Sequence, residues 1–345
     1  MPDRAALFFS PLLSFLFTLV FVPVVRHVAL RWGYISLPRA DRWHQCPIPT
    51  LGGVAFLLGF LFAIFLFSST LALFLPLLLV TSLMGVLGLY DDLHHISPVV
   101  KLTGQIIGTA VAIFCYEYSL GFFPWPPLDA VLTALWIIGL TNSINLLDNM
   151  DGLAGGIGLI AVLYLAFLFH QRGDVQLTLF ALTLAGAVAA FLVYNFHPAS
   201  IFMGDTGSLF LGSALSLLTL HVHGQASNIF SFVAVPTLIL LVPILDTSLV
   251  TLTRFFRGQP VSQGGRDHAS HRLVILGFSE PKAVFLLYVM AGISGGAAVL
   301  IEWLSYTLSL ILVPLIVLSF AVGTAYLARV QVASALKEEA VKHDI

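Results

Sequence analysis

Residues 128–170 read LDAVLTALWIIGLTNSINLLDNMDGLAGGIGLIAVLYLAFLFH, two apolar runs joined by a short polar segment. Each run is close to the length that crosses a membrane as a helix, about 20 residues. The joining segment carries Asn145, Asp148 and Asp151, spaced i, i+3 and i+6. On a helix this spacing keeps the side chains on one face, and two carboxylates one turn apart repel each other unless a cation or a proton intervenes. The segment therefore predicts a cation-holding site at a membrane face, or else a polar turn with helix caps.

The rest of the chain has the composition of a polytopic membrane protein. Of its 345 residues 59% are hydrophobic and 9% are charged, and the mean hydropathy is +0.99. A soluble domain is nearer to half apolar and a quarter charged. The net charge of -2 comes without any basic run, which argues against nucleic-acid binding. Cys46 and Cys115 form neither a disulfide framework nor a zinc-binding spacing.

The apolar pattern predicts an all-α fold, because a lipid-embedded backbone satisfies its hydrogen bonds only within helices or closed barrels. We expect one transmembrane domain over residues 1–330 and a short tail over residues 331–345. Eleven stretches are candidates for membrane spans: 5–25, 51–67, 71–90, 100–116, 128–144, 153–170, 175–194, 203–220, 229–253, 283–301 and 305–328.

The distribution of basic residues indicates the orientation of the spans. If the N terminus is outside and the spans alternate, only Arg4 and Arg172 of the 15 Lys and Arg residues lie on the outer side. Basic residues are enriched in cytoplasmic loops, so we expect a plasma-membrane protein with a cytoplasmic C terminus. All the main polar clusters then fall at the cytoplasmic face, and the active site is predicted there.

Four further acidic residues accompany the 145–151 segment. Asp91 and Asp92 end a span, where adjacent carboxylates suit a divalent cation, a general base or simply a helix cap. Asp205 has small neighbours that would let a metal or a ligand approach, but it could also cap the eighth span. Asp246 lies inside the ninth span, where an acid is a functional candidate or the partner of a basic residue.

The longest inner loop contains QGGRDHASHRL at residues 263–273. Two Arg and two His so close together can bind a diphosphate, because guanidinium groups chelate phosphate oxygens. Zinc is disfavoured, since no third His or Cys ligand is nearby, and a solvated loop is the plain alternative. No Walker loop, dinucleotide-binding glycine motif or serine-hydrolase elbow occurs. Together, the acidic residues and this basic loop predict a Mg²⁺-dependent reaction of a phosphate ester at the inner leaflet.

The order of these motifs resembles the polyprenyl-phosphate N-acetylhexosamine-1-phosphate transferases, a family with MraY and WecA branches. The resemblance implies that a UDP-N-acetylhexosamine donates its sugar-1-phosphate to undecaprenyl phosphate in the lipid bilayer and releases UMP. Mg²⁺, or Mn²⁺ in its place, is the implied cofactor, no nucleic acid is involved, and a homodimer is left open. The matching motifs are PIPTLGG at 47–53, Asp91-Asp92, Asn145-x-x-Asp148-x-x-Asp151-Gly152, Phe202-Met-Gly-Asp205-x-Gly207-Ser208 and Asp267-His268-x-x-His271-Arg272-Leu273.

The same resemblance implies a role for each matching residue. As catalytic groups it implies Asp91, Asp92, Asp148, Asp151, His268 and His271. As metal ligands it implies Asp205 and Asp151. As substrate-binding residues it implies Thr50, His44 and Lys101 near the phosphates, Asn145 in the nucleotide cleft, Asn195 and Phe202 at the uracil, and Arg272 over the diphosphate.

The last loop indicates the branch of the family. MraY carries three consecutive His there, whereas this chain has Asp267-His268 followed by His271-Arg272, with Ser270 where His is common. This pattern resembles WecA and favours UDP-GlcNAc, in the first membrane step of cell-wall or surface polysaccharide synthesis. The alternatives are a phospho-MurNAc-pentapeptide transferase, a secondary transporter, a CDP-alcohol phosphotransferase or a non-catalytic scaffold.

Overall fold

The computed structural model describes residues 4–37, 46–67, 71–223, 229–260, 265–304 and 306–330. The predicted substrate residue His44 lies outside these ranges. Within them the chain forms a bundle of helices and one short antiparallel ribbon, β1 (Ile35–Ser36) with β2 (Ile48–Pro49). The helices are α1 (Arg4–Trp32), α2 (Gly52–Phe67), α3 (Leu71–His94), α4 (Pro98–Tyr116), α5 (Pro126–Leu147), α6 (Leu153–Gln171), α7 (Val175–Asn195), α8 (Gly204–His223), α9 (Ile229–Ile239), α10 (Leu241–Phe256), α11 (Ala269–Ile275), α12 (Glu280–Trp303) and α13 (Tyr306–Ala328).

Every predicted apolar stretch contains helix, and the ninth is divided between α9 and α10. In the described residues, 8 helices are long and apolar enough to cross a membrane, or 9 if α9 and α10 together form one span. α2 is shorter than such a span, and α8 carries many hydroxyl side chains that face inward. The all-α membrane architecture is confirmed, whereas eleven spans and the orientation of the termini stay predictions.

α8 is the helix against which α2, α3, α5 and α6 pack. Its residues Ser208, Ser213, Ser216 and Thr219 are fully buried. The last three hydroxyls each donate to the backbone carbonyl three residues earlier in the helix. Hydroxyl groups that are satisfied within their own helix can be buried cheaply, and small side chains let neighbouring helices approach closely.

Glycines bring α2 and α3 into main-chain contact with the start of α8. A Cβ added to Gly53 would lie 2.1 Å from the backbone nitrogen of Gly207, and one added to Gly88 would lie 2.2 Å from the carbonyl oxygen of Asp205. Neither position has space for a side chain. This close packing holds Asp205 about one helical turn from the acidic end of α3.

α9 and α10 meet at an angle of 78°. Pro243 has no N–H to donate to the carbonyl of Ile239, and Leu240 between the helices has φ -106° and ψ 23°. Since the proline removes a helical hydrogen bond there, the chain can change direction. Asp246 follows in the next turn and is only 3% exposed.

Candidate active site

Lys101, near the start of α4, lies at the centre of a polar cluster. Its Nζ is 3.2 Å from Oδ2 of Asp91 and 2.9 Å from Oδ2 of Asp205. A third oxygen, Oδ1 of Asn145, lies 3.2 Å away. Asn145 also donates from Nδ2 to Oδ1 of Asp205 and, at 2.7 Å, to Oγ of Ser208. Three oxygens from three helices therefore converge on one positive charge, which offsets the repulsion between the two carboxylates.

The cluster has a donor set that suits Mg²⁺. This ion prefers oxygen ligands and commonly binds one or two carboxylates together with water and substrate phosphates. Asp91 and Asp205 supply such a pair, because both already reach the same ammonium group. Among the described residues no group of three His, Cys, Asp or Glu side chains could hold a metal. A bound metal would therefore need amide, water or substrate oxygens to complete its coordination.

Asp92 faces a different way from Asp91. Its carboxylate accepts hydrogen bonds from the backbone N–H groups of Asp205 at 2.8 Å and Thr206 at 2.9 Å, and from the Thr206 hydroxyl at 2.6 Å. It caps the start of α8, where free N–H groups and the helix dipole favour an anion. The structure thus divides the predicted catalytic pair. Asp91 contacts Lys101, and Asp92 holds the backbone that carries Asp205.

The predicted helical face over residues 145–151 is only partly formed. Helix α5 ends before Asp148, whose ψ is 55°, and α6 begins after Gly152, whose φ is +74°. Asn145 lies in the helix, but Asp148 and Asp151 lie in the turn between the helices. The expectation of one continuous face was therefore wrong, because the chain leaves helical geometry at Asp148, before it reaches Asp151.

Asp151 contacts the loop between α7 and α8. Its Oδ2 accepts a hydrogen bond from the backbone N–H of Ala199 at 2.9 Å and lies 3.1 Å from Nδ1 of His197. The resemblance paired Asp151 with Asp205 as metal ligands, whereas the carboxylate that shares a cation with Asp205 belongs to Asp91. The metal role of Asp151 and the catalytic role of Asp148 stay predictions.

Asn195 is not available to a nucleotide base in this structure. The residue is 2% exposed. Its Oδ1 accepts from the N–H of Gly152 at 3.1 Å, and its Nδ2 donates to the carbonyl of Ile201 at 2.9 Å. The predicted contact with uracil is not supported, because the amide joins the end of α7 to the turn before α6.

The ribbon fixes two other predicted substrate residues. The N–H of Phe202 donates to the carbonyl of Pro49, and its own carbonyl accepts from Gly52, each at 2.8 Å. The ring of Phe202 is partly exposed, so stacking on a base stays a prediction. The hydroxyl of Thr50 donates to the carbonyl of Tyr34 at 3.3 Å, which turns it toward the backbone of the ribbon.

The His-containing loop is tied to α10 and to the turn between α5 and α6. Nδ1 of His268 lies 2.7 Å from Oδ2 of Asp246, and the N–H of Ala269 donates to Oδ1 of the same carboxylate at 2.7 Å. Ser270 donates to Oδ1 of Asn149 at 2.7 Å. Asp246 therefore pairs with His268, where the sequence suggested an inner-face Arg.

The same loop forms an ion pair with α10 and contains a buried arginine. Arg254 donates to both oxygens of Asp267, at 2.8 and 2.6 Å. Burial would raise the pKa of Asp267, but these bonds and the charge of Arg254 outweigh it, and the pKa is lowered. Arg272 is 0% exposed and donates to the carbonyls of Leu327 and Ala328 at the end of α13. Its predicted contact with a diphosphate is not supported, because its guanidinium caps α13.

His271 is buried beside His268, with 5.7 Å between the ring centroids. Burial, followed by the charge of His268, lowers the pKa of His271 to about 3. The imidazole of His271 is therefore neutral at physiological pH. It cannot supply positive charge to a diphosphate in this state, and its catalytic role stays a prediction.

Fold and site together define a polytopic membrane protein that carries an acidic, lysine-containing cluster at the helix ends. The profile of glycosyl transferase family 4 matches residues 74–223, which include the whole cluster. The probable undecaprenyl-phosphate N-acetylglucosaminyl 1-phosphate transferase of Bacillus subtilis (strain 168) is 34% identical over 316 residues, which cover 88% of each chain. The chain therefore belongs to the polyprenyl-phosphate N-acetylhexosamine-1-phosphate transferase family.

Two further relatives mark the two branches of this family. The undecaprenyl-phosphate alpha-N-acetylglucosaminyl 1-phosphate transferase of Yersinia pestis is 27% identical over 320 residues, covering 89% of this chain and 87% of its own. The phospho-N-acetylmuramoyl-pentapeptide-transferase of Levilactobacillus brevis is 31% identical over 246 residues, covering 63% of this chain and 76% of its own. The match to the N-acetylglucosaminyl transferases thus extends over more of this chain.

Proposed function

We propose that the protein transfers N-acetylglucosamine-1-phosphate from UDP-GlcNAc to undecaprenyl phosphate and releases UMP. The observation that carries this proposal is the convergence of oxygens from Asp91, Asn145 and Asp205 on Nζ of Lys101. Such a cluster can hold a cation and receive phosphate groups. The names of the relatives from Bacillus subtilis and Yersinia pestis support the choice of sugar and lipid.

The proposed reaction exchanges one phosphorus–oxygen bond for another. An oxygen of the lipid phosphate attacks the β-phosphorus, and the bond from that phosphorus to the bridging oxygen breaks. UMP leaves with the electron pair. A phosphate monoester with a second pKa of about 6 is largely ionised at neutral pH, so a strong base is not required. Two anions must approach each other, and positive charge and positioning therefore matter most.

The residues of the cluster divide these tasks. Lys101 supplies a fixed positive charge beside the reacting phosphates. We expect Asp205 and Asp91, with the amide oxygen of Asn145, to hold Mg²⁺, for which Mn²⁺ can substitute. When bound, the ion would neutralise phosphate charge. Asp92 keeps Asp205 in place through the backbone of α8.

We further propose that the cluster faces the cytoplasm and that the chain lies in the plasma membrane. The support is the charge asymmetry, since only Arg4 and Arg172 of the 15 Lys and Arg residues fall on the assigned outer side. An activated sugar nucleotide is a cytoplasmic metabolite in this scheme, and the lipid-linked product would begin a cell-wall or surface polysaccharide.

A second candidate is transfer of phospho-MurNAc-pentapeptide from its UDP-activated form to the lipid. The relative from Levilactobacillus brevis carries that activity in its name and is 31% identical over 246 residues. The last loop of this chain favours the first candidate, because Ala269 and Ser270 separate its two His residues. The donor sugar distinguishes the two candidates directly.

The test is a donor panel with purified protein in detergent, Mg²⁺ and undecaprenyl phosphate. UDP-GlcNAc, UDP-GalNAc and UDP-MurNAc-pentapeptide are compared by the release of UMP. We expect release from UDP-GlcNAc, its loss with EDTA, and a fall of about 100-fold or more in Asp205→Asn, which removes a charge-stabilising group. Asp174→Asn is the matched control, because Asp174 only caps α7 and Asn caps equally well. A near-full rate in Asp205→Asn would overturn the assignment.

A further inference from the structure

We propose that Asp246 is a positioning residue that fixes the imidazole ring of His268, so that Nε2 of His268 contacts the diphosphate of the sugar nucleotide. This inference rests on the proposed function. Asp246 lies in α10, on a different element from the Lys101 cluster, and would act only through His268. The sequence pattern left this intramembrane acid open as a functional candidate or as the partner of an arginine, and the geometry assigns it to His268.

Both oxygens of Asp246 are engaged with the His-containing loop. Oδ2 lies 2.7 Å from Nδ1 of His268, and Oδ1 accepts from the N–H of Ala269 at 2.7 Å. Asp246 is 3% exposed and His268 is 4% exposed. A buried carboxylate is costly unless it is paired and hydrogen-bonded, and such charge-assisted bonds are short. One bond fixes the backbone of the loop, and the other fixes the rotation of the ring.

The contact decides which ring nitrogen faces away from α10. A carboxylate accepts hydrogen bonds only, so Nδ1 of His268 carries a proton, and in the imidazolium form Nε2 carries a second proton that it can donate to a phosphate oxygen. Nε2, on the other edge of the ring, forms no hydrogen bond with the described part of the chain. Carboxylates orient His ligands in the same way at metal sites, and loss of such an outer partner typically costs 10-fold to 100-fold.

The loop lies beside the acidic turn between α5 and α6. Ser270, two residues after His268, donates to Oδ1 of Asn149 at 2.7 Å. Asn149 lies in that turn, directly after Asp148. Arg272 of the same loop is not positioned for this task, since it caps α13 and is 0% exposed. His268 is thus a basic side chain of this loop that is fixed next to the turn.

The neighbouring charges do not compete for Asp246. Arg254, two turns further along α10, forms two hydrogen bonds with Asp267, at 2.8 and 2.6 Å. Each acid therefore has its own basic partner: Asp246 has His268, and Asp267 has Arg254. The bend between α9 and α10 of 78° lets α10 present both partners to the loop.

The test is a double-mutant cycle of Asp246→Asn and His268→Gln, read as kcat/KM for UMP release. Asn keeps an oxygen for the N–H of Ala269 but places an NH₂ group opposite Nδ1 of His268. We expect each single variant to lose about 10-fold to 100-fold and the double variant to lose no more than His268→Gln alone. Thr247→Val is the control, because the buried Thr247 hydroxyl has no hydrogen-bond partner among the described residues.

A second readout needs no turnover and separates this inference from the proposed function. In ¹⁵N-histidine-labelled protein, with His268→Gln to assign the signal, we expect a protonated Nδ1 in the wild type and a ring protonated only on Nε2 in Asp246→Asn. Additive losses in the cycle, or an unchanged tautomer, would overturn the inference even if the wild type releases UMP. If Asp246→Asn does not fold, Asp246→Ser, which also removes the carboxylate, replaces it in both measurements.

Discussion

Replacement of Asp92 by Asn should destabilise the protein, whereas replacement of Asp91 by Asn should chiefly lower the rate of UMP release. The Asp92 carboxylate accepts three hydrogen bonds at the start of α8, at 2.8, 2.9 and 2.6 Å. An Asn side chain has one acceptor oxygen, so one backbone N–H loses its partner and the helix loses an anion at its N terminus. A charge-assisted hydrogen bond contributes about 1.5–3 kcal/mol, so we expect Asp92→Asn to lose about 2–3 kcal/mol of unfolding free energy.

Asp91→Asn is the matched variant, because it removes the same charge one residue earlier. Asp91→Asn loses the ion pair with Lys101, which keeps its partner Asp205, while the Asn oxygen can still accept the N–H of Ile96 that Oδ1 of Asp91 accepts at 3.0 Å. The cost in stability should therefore stay within about 1 kcal/mol. The unfolding free energy is measured by SDS titration in mixed micelles, and the rate by UMP release. Equal stability losses in the two variants, or an unaltered stability in Asp92→Asn, would refute the division of the pair.

Three further predictions concern the cluster and the loop. Lys101→Met should lower the rate of UMP release by about 100-fold or more, since it removes the fixed charge; a rate within a few-fold of the wild type would contradict this. Gly204→Ala should reduce the apparent melting temperature, because φ is +71° and its Cβ would lie 2.8 Å from the Asp92 carboxylate; an unchanged melting temperature would contradict the close packing of Asp92 against the start of α8. His271, with a pKa of about 3, takes up its proton only on unfolding as the pH falls below about 6.5, so stability should fall by about 2 kcal/mol from pH 7 to pH 5. His271→Gln should flatten this pH dependence in chemical denaturation, and an equally steep profile would show that other groups cause it.

Hydropathy predicted the helices because a backbone in lipid must satisfy its hydrogen bonds internally, and a helix does so within one segment. Each apolar stretch contains helix, and Asp91, Asn145 and Asp205 do meet, although they lie far apart in the sequence. Hydropathy could not predict the division of the ninth stretch, since it reports apolar character and not direction. The signal for the bend was Pro243, which removes a helical hydrogen bond.

The roles of individual polar residues were harder to predict than their location. Asp91 and Asp92 are adjacent on a helix, so they must point about 100° apart at 3.6 residues per turn, and only one can face a given cluster. That argument was available from the sequence. The burial of Asn195 and Arg272 could not be predicted in this way. An Asn or Arg side chain that donates to backbone carbonyls looks the same in the sequence as one that binds a ligand.

The fate of the β-phosphorus in UDP-GlcNAc tests the central claim most directly. With [β-³²P]UDP-GlcNAc, undecaprenyl phosphate and Mg²⁺, we predict that the label enters the lipid fraction together with the sugar, in amounts equal to the UMP released. Asp205→Asn should leave the label in the nucleotide. Transfer of the sugar with the label retained in UDP, or labelled lipid formed equally well by Asp205→Asn, would contradict the account.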